Sequence, residues 1–179
     1  MGMANVVAPT GDMAAMGGSV NNLNYQENQN SRPNFSTFKK NYPGSLSAGD
    51  VYKLIGGKVY QNYQSDPQKY ANSCALRLSR ALNYSGVKIP YIAGQTGSGS
   101  DKNWYFYRVN DLKNYLIKIW GNPDLKGDQK KLQGKTGIIL FQDCGWSDAT
   151  GHLDVWNGSS CEHECYFDVC GQSSLWILP

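Results

Sequence analysis

The sequence predicts an α+β fold in which N-terminal helices pack on a C-terminal antiparallel sheet. Two observations lead to this class. Apolar residues recur at helical spacing as far as Trp120, whereas from Gly137 onward they form the short apolar or alternating runs that are typical of strands. A chain of 179 residues has the size of one domain and can bury a core without disulfides.

The first segment, residues 1–32, is predicted to be a flexible tail. It is rich in Gly, Asn, Ser, Met and Ala, has no periodic apolar face, and contains the polar run Asn28-Gln29-Asn30. Such a segment cannot bury enough apolar surface to order itself. We therefore place the domain at residues 33–179.

Two short helical segments are predicted to open the domain. Their apolar residues lie at helical spacing, and the segments end at Pro43-Gly44 and at Gly56-Gly57. The residues of the two apolar stripes are Phe35, Phe38 and Tyr42, then Val51, Leu54 and Ile55.

Two clearer helices follow. The first begins after Ser73, a natural N-cap that places Cys74 in the first turn, and it ends before Gly86. The second begins at Asn110 or Asp111 and stops at Gly121. Their buried faces are Cys74, Ala75, Leu78, Ala81 and Leu82 in the first, and Leu112, Tyr115, Leu116, Ile119 and Trp120 in the second.

The C-terminal third is predicted to form strands. Residues 137–141 are a continuous apolar run, residues 152–156 alternate, and residues 175–178 form another apolar run. The pair Asn157-Gly158 after the second strand is a strong hairpin signal.

Charge and hydropathy exclude several classes of protein. The 17 Lys and Arg against 14 Asp and Glu are scattered, so no basic stripe indicates nucleic-acid binding. No apolar run approaches the roughly 18 to 20 residues of a membrane span, and the N-terminus lacks the features of a secretory signal. We expect a soluble protein with a small-molecule or polymer-cleaving site, and if it leaves its cell, it does so without such a signal.

Cys74 is the first candidate for chemistry. A thiol in the first turn of a helix lies at the positive end of the helix dipole, which favours the nucleophilic thiolate. The same turn offers free backbone N–H groups that can receive the oxyanion of an attacked carbonyl.

His152 is the matching candidate for a general base, because it opens a strand after a Gly-rich turn. A third group must orient its ring, and Asp154, His163 and Asp168 are all candidates. Asp154 lies on the same strand face as His152, and residues two positions apart on one face are separated by about 7 Å. A residue of the next strand can face His152 directly, so we rank His163 first.

The other four cysteines allow two interpretations. Cys161 and Cys165 are close enough in sequence for a disulfide that pins His163 and indicates an oxidising destination. Alternatively, they could bind zinc together with His163, His152, Cys144 or Cys170. Cys144 and Cys170 could also form a pair. An alternative function is therefore a non-catalytic module, stapled by a disulfide or bearing zinc, that holds glycan or peptide with its many aromatic side chains.

Five ordered blocks of the sequence stand out together: NSCALRLS at 72–79, YFYRVNDL at 105–112, KTGII at 135–139, GWSDATGHLDVWNG at 145–158 and LWILP at 175–179. These blocks closely resemble the fourth family of type VI secretion amidase effectors, and the likeness runs from about residue 33 to the C-terminus. The resemblance implies an NlpC/P60-like, papain-type fold and a peptidoglycan amidase that needs no metal or organic cofactor.

Such effectors are delivered by the type VI secretion machinery into the periplasm of a rival bacterium. There they cut the amide between D-glutamate and meso-diaminopimelate in peptide stems, and a cognate immunity protein protects the producer. The resemblance assigns Cys74 as nucleophile, His152 as base and His163 as third member, in a loop closed by a Cys161–Cys165 disulfide. At the third position other members carry Asp, so His163 is a departure, although the wider superfamily often uses His there.

Overall fold

The computed structural model describes residues 31–147 and 149–179. Residues 1–30 of the predicted tail therefore lie outside the described residues. In chain order the elements are α1 (Phe35–Lys40), α2 (Ala48–Ile55), α3 (Gly57–Ser65), α4 (Cys74–Tyr84), β1 (Thr96–Ser98), β2 (Trp104–Phe106), α5 (Val109–Trp120), β3 (Leu125–Lys126), α6 (Gln129–Leu132), β4 (Gly137–Gln142), β5 (His152–Trp156) and β6 (Gln172–Ile177). The predicted α+β class, with helices before an antiparallel sheet, is confirmed.

The main sheet has the strand order β3-β6-β4-β5. All of its pairings are antiparallel, and the central strand β4 places Phe141 opposite His152 and Ile139 opposite Asp154. β5 is thus an edge strand, yet all five of its residues are buried because other segments cover both of its faces. A site built on β5 is therefore shielded from water.

The helix α4 is the centre of the helical layer. Nine of its 11 residues are buried, and its apolar face packs with α5 and with one face of the sheet. The opposite sheet face packs against α6 and the segment that precedes β6. The first turn of α4, which carries Cys74, therefore lies close to β5.

The structure adds elements that the sequence pattern does not reveal. Gly56 ends α2, close to the predicted stop, but Gly57 already begins α3, and the two glycines have positive φ values of 67° and 60°. Any side chain at Gly57 would be blocked, since a Cβ would lie 2.6 Å from the carbonyl carbon of Gly99. A loop with three glycines, residues 94–99, contains β1, which pairs with β2.

The Asn157-Gly158 turn forms, but no hairpin partner strand follows it. The Asn157 side chain accepts hydrogen bonds from the N–H groups of Ser159 and Ser160, and a single bridge joins Trp156 to Cys161. The chain then leaves β5, and β6 pairs with β4 instead. The segment between the turn and β6 is free to build the site.

Arg32 contacts the domain, although the prediction assigned it to the tail. Its guanidinium pairs with Asp124 and donates to the Ile177 carbonyl at 2.9 Å. It also lies over the Trp120 ring at 5.6 Å from the centroid. Within the described ranges, no helix is long and apolar enough to cross a membrane.

Candidate active site

Cys74 begins α4 and lines a cavity of about 480 Å³ together with His152, His163 and Tyr166. All five cysteines lie in the described ranges, and Cys74 is the one without a disulfide. Its side chain is buried, with 3% exposed. Its backbone N–H donates to Asn72 Oδ1 at 3.1 Å. The predicted side-chain cap from Ser73 is absent, because Ser73 Oγ accepts from Arg77 Nε instead.

His152 is the first residue of β5 and is almost fully buried. Its Nε2 donates to Asp154 Oδ2 at 3.0 Å, and the ring lines the same cavity as Cys74. Because Asp154 occupies Nε2, Nδ1 is the nitrogen left for the thiol. Burial lowers the pKa of His152, but the hydrogen bonds to Asp154 and Cys74 and the charges of these groups outweigh burial and raise the pKa from 6.5 to about 9.

Asp154 has no exposed surface and accepts five hydrogen bonds. Besides the bond from His152, its oxygens accept from the Tyr42 hydroxyl at 3.1 Å and from the Val155 N–H at 2.7 Å. The N–H groups of His163 and Glu164 complete the set at 3.2 and 2.8 Å. Every partner is a donor, which is the environment of an ionised carboxylate.

His163 lies at the edge of the site and does not take the place opposite His152 that we expected. Its ring centroid is 6.4 Å from that of His152, and its Nδ1 donates to the Gly44 carbonyl at 2.9 Å. His152 donates its hydrogen bond to Asp154 instead, since two side chains on the same strand face can lean toward each other across the Cα separation. Asp168, the third candidate, is exposed in a turn.

Both possible disulfides are present, Cys161–Cys165 and Cys144–Cys170. The first closes the loop whose N–H groups bind Asp154, so the predicted staple supports the site through its backbone. The second joins the segments that leave β4 and enter β6, two paired strands. The four sulfurs are thereby engaged, and among the described residues no group of three His, Cys, Asp or Glu side chains could hold a metal ion.

Two residues of the site were not foreseen. Tyr42 holds Asp154, and its own pKa is raised by burial and by the charges of Asp154 and Cys74, so its hydroxyl remains a donor. Arg77, with 1% of its surface exposed, donates to the carbonyls of Pro43 and Gly44. Burial lowers its pKa, while the nearby charges of Tyr42, Asp154 and Cys74 act in the opposite direction. An arginine on the buried face of α4 was the signal available in the sequence.

Aromatic rings wall the cavity. The Tyr166 ring packs edge-on against the His152 ring, with the two centroids 5.0 Å apart. It also packs edge-on against the Trp146 ring, with a centroid distance of 4.8 Å. Its hydroxyl donates to Glu164, and burial together with this bond raises the pKa of Tyr166 to about 12. The wall limits the access of water to the side of His152 that it covers.

A second, larger cleft of about 800 Å³ adjoins the cavity. The two share Asn72 and Ala149 in their linings. The site thus offers a buried thiol, an imidazole held by a carboxylate, and space beside them for a substrate chain. These are the components of nucleophilic acyl transfer.

The chain was compared with known proteins. Residues 70–177, which include Cys74, His152, Asp154 and His163, match the family described as type VI secretion system (T6SS), amidase effector protein 4. A comparison with curated proteins finds no match.

Solved structures of this family are similar to the whole domain. The effector Tae4 from Salmonella typhimurium, in complex with the immunity protein Tai4 from Enterobacter cloacae, is 36% identical with a TM-score of 0.77, covering 83% of this chain and 100% of that chain. The Enterobacter cloacae Tae4, in its Tae4–Tai4 complex, is 33% identical with a TM-score of 0.76 and the same coverage. The fold is therefore NlpC/P60-like, and the chain belongs to the type VI secretion amidase effector protein 4 family.

Proposed function

We propose that the protein is a cysteine amidase that cleaves the bond between γ-D-glutamate and meso-diaminopimelate in peptidoglycan stems. The observation that carries this proposal is the series of Cys74, His152 and Asp154, in which the first two line one cavity and the third accepts a hydrogen bond from the second. Within an amidase effector family, this series supplies a nucleophile, a proton carrier and an orienting carboxylate.

The pKa of His152, raised to about 9, keeps its imidazole protonated at neutral pH, and the positive ring stabilises negative charge on the Cys74 sulfur that attacks the substrate. The thiolate attacks the γ-carbonyl carbon of the D-glutamyl residue, and the carbonyl oxygen becomes an oxyanion. Asn72 Oδ1 already binds the Cys74 N–H, so the Nδ2 of that amide and the next N–H groups of α4 are the donors for the oxyanion.

Collapse of this intermediate breaks the C–N bond. His152 gives its proton to the leaving amino group of diaminopimelate, and a thioester to Cys74 remains. His152, now neutral, takes a proton from water, whose oxygen attacks the thioester and releases the D-glutamyl carboxylate. Asp154 stays ionised throughout and holds the ring.

The test is digestion of Gram-negative sacculi by the purified protein, with mass spectrometry of the soluble products. We expect products with a new free amine on diaminopimelate and a new carboxylate on D-glutamate. The variant Cys74→Ala should release none. Cleavage at another bond would overturn the assigned specificity, and full activity of Cys74→Ala would overturn the cysteine mechanism.

We further propose that the protein acts in the periplasm of target bacteria after type VI secretion and that a cognate immunity protein binds it. The solved relatives in complex with Tai4 proteins support this pairing, and the two disulfides suit an oxidising compartment. Expression directed to the periplasm of a sensitive cell should lyse it, whereas the Cys74→Ala variant should not. Equal survival of both cultures would contradict a periplasmic toxin.

A further inference from the structure

We propose that the larger cleft is a carboxylate-binding subsite, with Arg108 as its anchor, that recognises an acidic group of the substrate next to the bond that is cut. The inference rests on the proposed function and adds a determinant of specificity to it. Because Asn72 and Ala149 line both the cleft and the cavity of Cys74, a substrate chain bound at Cys74 can extend into the cleft.

The cleft carries two cations and one carboxylate: Lys69, Arg108 and Asp111. The Arg108 Nε donates to Asp111 Oδ2 at 2.7 Å, and one terminal nitrogen donates to the Gly94 carbonyl at 2.7 Å. These two bonds fix the guanidinium while its side chain stays 67% exposed. The remaining N–H groups can therefore bind a carboxylate without a large loss of side-chain entropy.

The backbone adds positive potential to that of the two cationic side chains in the cleft. Arg108 is the N-cap of α5, a helix of 12 residues, and its side chain makes no capping hydrogen bond. The residues of the first turn, Val109 to Asp111, line the cleft. Their N–H groups have no partner inside the helix, and the positive end of the helix dipole lies there, so an anion in the cleft is favoured.

The lining of the cleft also includes a buried hydroxyl for which the described part of the chain provides no hydrogen-bond partner. Tyr52 lines the cleft and has no exposed surface, and among the described residues its hydroxyl has no hydrogen-bond partner. Burial raises the pKa of Tyr52, with the charges of Tyr107 and Tyr70 next in importance, so the group is a donor that lacks an acceptor. A buried donor of this kind costs free energy unless something accepts from it.

The proposed substrate has carboxylates on both sides of its scissile amide. The α-carboxylate of D-glutamate lies on the acyl side, and the carboxylate at the far carbon of diaminopimelate lies on the amine side. Both have the same chemistry, so the experiment has to distinguish them.

Three synthetic tetrapeptide stems serve this purpose: the unmodified acid, one with the glutamate α-carboxyl amidated, and one with the far carboxyl of diaminopimelate amidated. For the wild-type protein we expect amidation of one of the two groups to lower kcat/KM by roughly tenfold or more, as for the loss of a hydrogen bond to a charged group. The amidated stem with the lower kcat/KM identifies the carboxylate that the cleft binds.

Arg108→Gln should lower kcat/KM for the unmodified acid stem to the value that the wild-type protein shows for the amidated stem it cleaves poorly. The variant should therefore no longer prefer the acid stem to that amidated stem. Arg80→Gln is the matched control, because Arg80 lies over the Tyr84 ring and is not part of the cleft lining. Tyr52→Phe removes one hydroxyl and keeps the ring stacked on Tyr63, so we expect a higher KM for the acid and a melting temperature that is not lowered. Tyr63→Phe is its control.

Equal cleavage of all three stems by the wild-type protein, or a preference that persists in Arg108→Gln, would overturn the inference and leave the proposed function standing. If the wild-type protein cuts none of the stems, the proposed function itself fails. The two failures are thus distinguishable.

Discussion

At the scale of single residues, the main question about the site is which side chain orients the His152 ring. Asp154 is within hydrogen-bond distance, while His163 bonds to Gly44. We predict that Asp154→Asn lowers kcat by at least about 100-fold, because the neutral amide can hold the wrong tautomer of the ring. His163→Ala should have a much smaller effect, since the backbone N–H that binds Asp154 remains.

Steady-state kinetics on purified stems measures both variants, and circular dichroism checks that Asp154→Asn is folded. A larger loss of kcat in His163→Ala than in Asp154→Asn would show that His163 is the third member, as sequence alone had ranked it.

The pH dependence follows from the pKa of His152. A histidine whose pKa is raised to about 9 is protonated below that pH, and the protonated form donates to the leaving amine. We therefore predict that activity falls as the pH rises through about 9. Asp154 is one of the groups that raise this pKa, so its replacement should move the fall to lower pH.

Profiles of kcat/KM against pH, measured for the wild-type protein and for the residual activity of Asp154→Asn, test this shift. An alkaline limb at the same pH in both proteins would contradict a pKa set by the Asp154 contact.

At the scale of elements, the two disulfides have different roles. Cys161–Cys165 closes a short loop, and Cys144–Cys170 spans 26 residues. The chain-entropy relation gives about 2 kcal/mol for the short loop and about 3.5 kcal/mol for the long one. The short loop, however, supplies the N–H groups that bind Asp154.

We therefore predict a crossed result for the paired Cys→Ser variants. Removal of Cys144–Cys170 should lower the free energy of unfolding more, and removal of Cys161–Cys165 should lower kcat more. Denaturant unfolding and stem cleavage measure the two effects. If the same variant were worse in both assays, the loop would have no special role in holding Asp154.

The elements that sequence could predict are those with a periodic apolar face. α4, α5 and β5 have one, β4 is a continuous apolar run, and the structure contains all four within a residue or two of the predicted bounds. β1 has none, because Thr-Gly-Ser carries no apolar pattern, and its pairing with β2 comes from tertiary contact. α3 was hidden by the Gly56-Gly57 pair, because Gly56 ends α2 and Gly57 already begins α3.

The same distinction holds for the site. Cys74 and His152 stand at the starts of periodic elements, so local pattern reveals them. The links of Asp154 to Tyr42 and to the disulfide loop join residues that are far apart in sequence, and Tyr42 is 112 positions from its partner. No local pattern carries that information.

At the scale of the whole molecule, the two ends of the described domain are joined. The Phe35 N–H donates to the Pro179 carbonyl at 2.6 Å, and Arg32 contacts Trp120, Asp124 and Ile177. We predict that removal of residues 1–30 leaves the melting temperature and kcat unchanged, because the sequence predicts a tail there. Removal of residues 1–32 should lower the melting temperature, since it deletes Arg32.

Thermal unfolding of both truncated proteins and of Arg32→Gln in the full chain measures this difference. A large fall in melting temperature on removal of residues 1–30 alone would contradict the predicted domain boundary.

The Asp154 carboxylate accepts hydrogen bonds from the main-chain N–H groups of residues 163 and 164, and not from their side chains. Every amino acid except proline carries a main-chain N–H donor. Substitutions at these two positions can therefore leave the hydrogen bonds to Asp154 in place. The disulfide and Asp154 have no such freedom. The loop thus combines positions whose side chains the proposed site needs with positions at which it needs only the main chain.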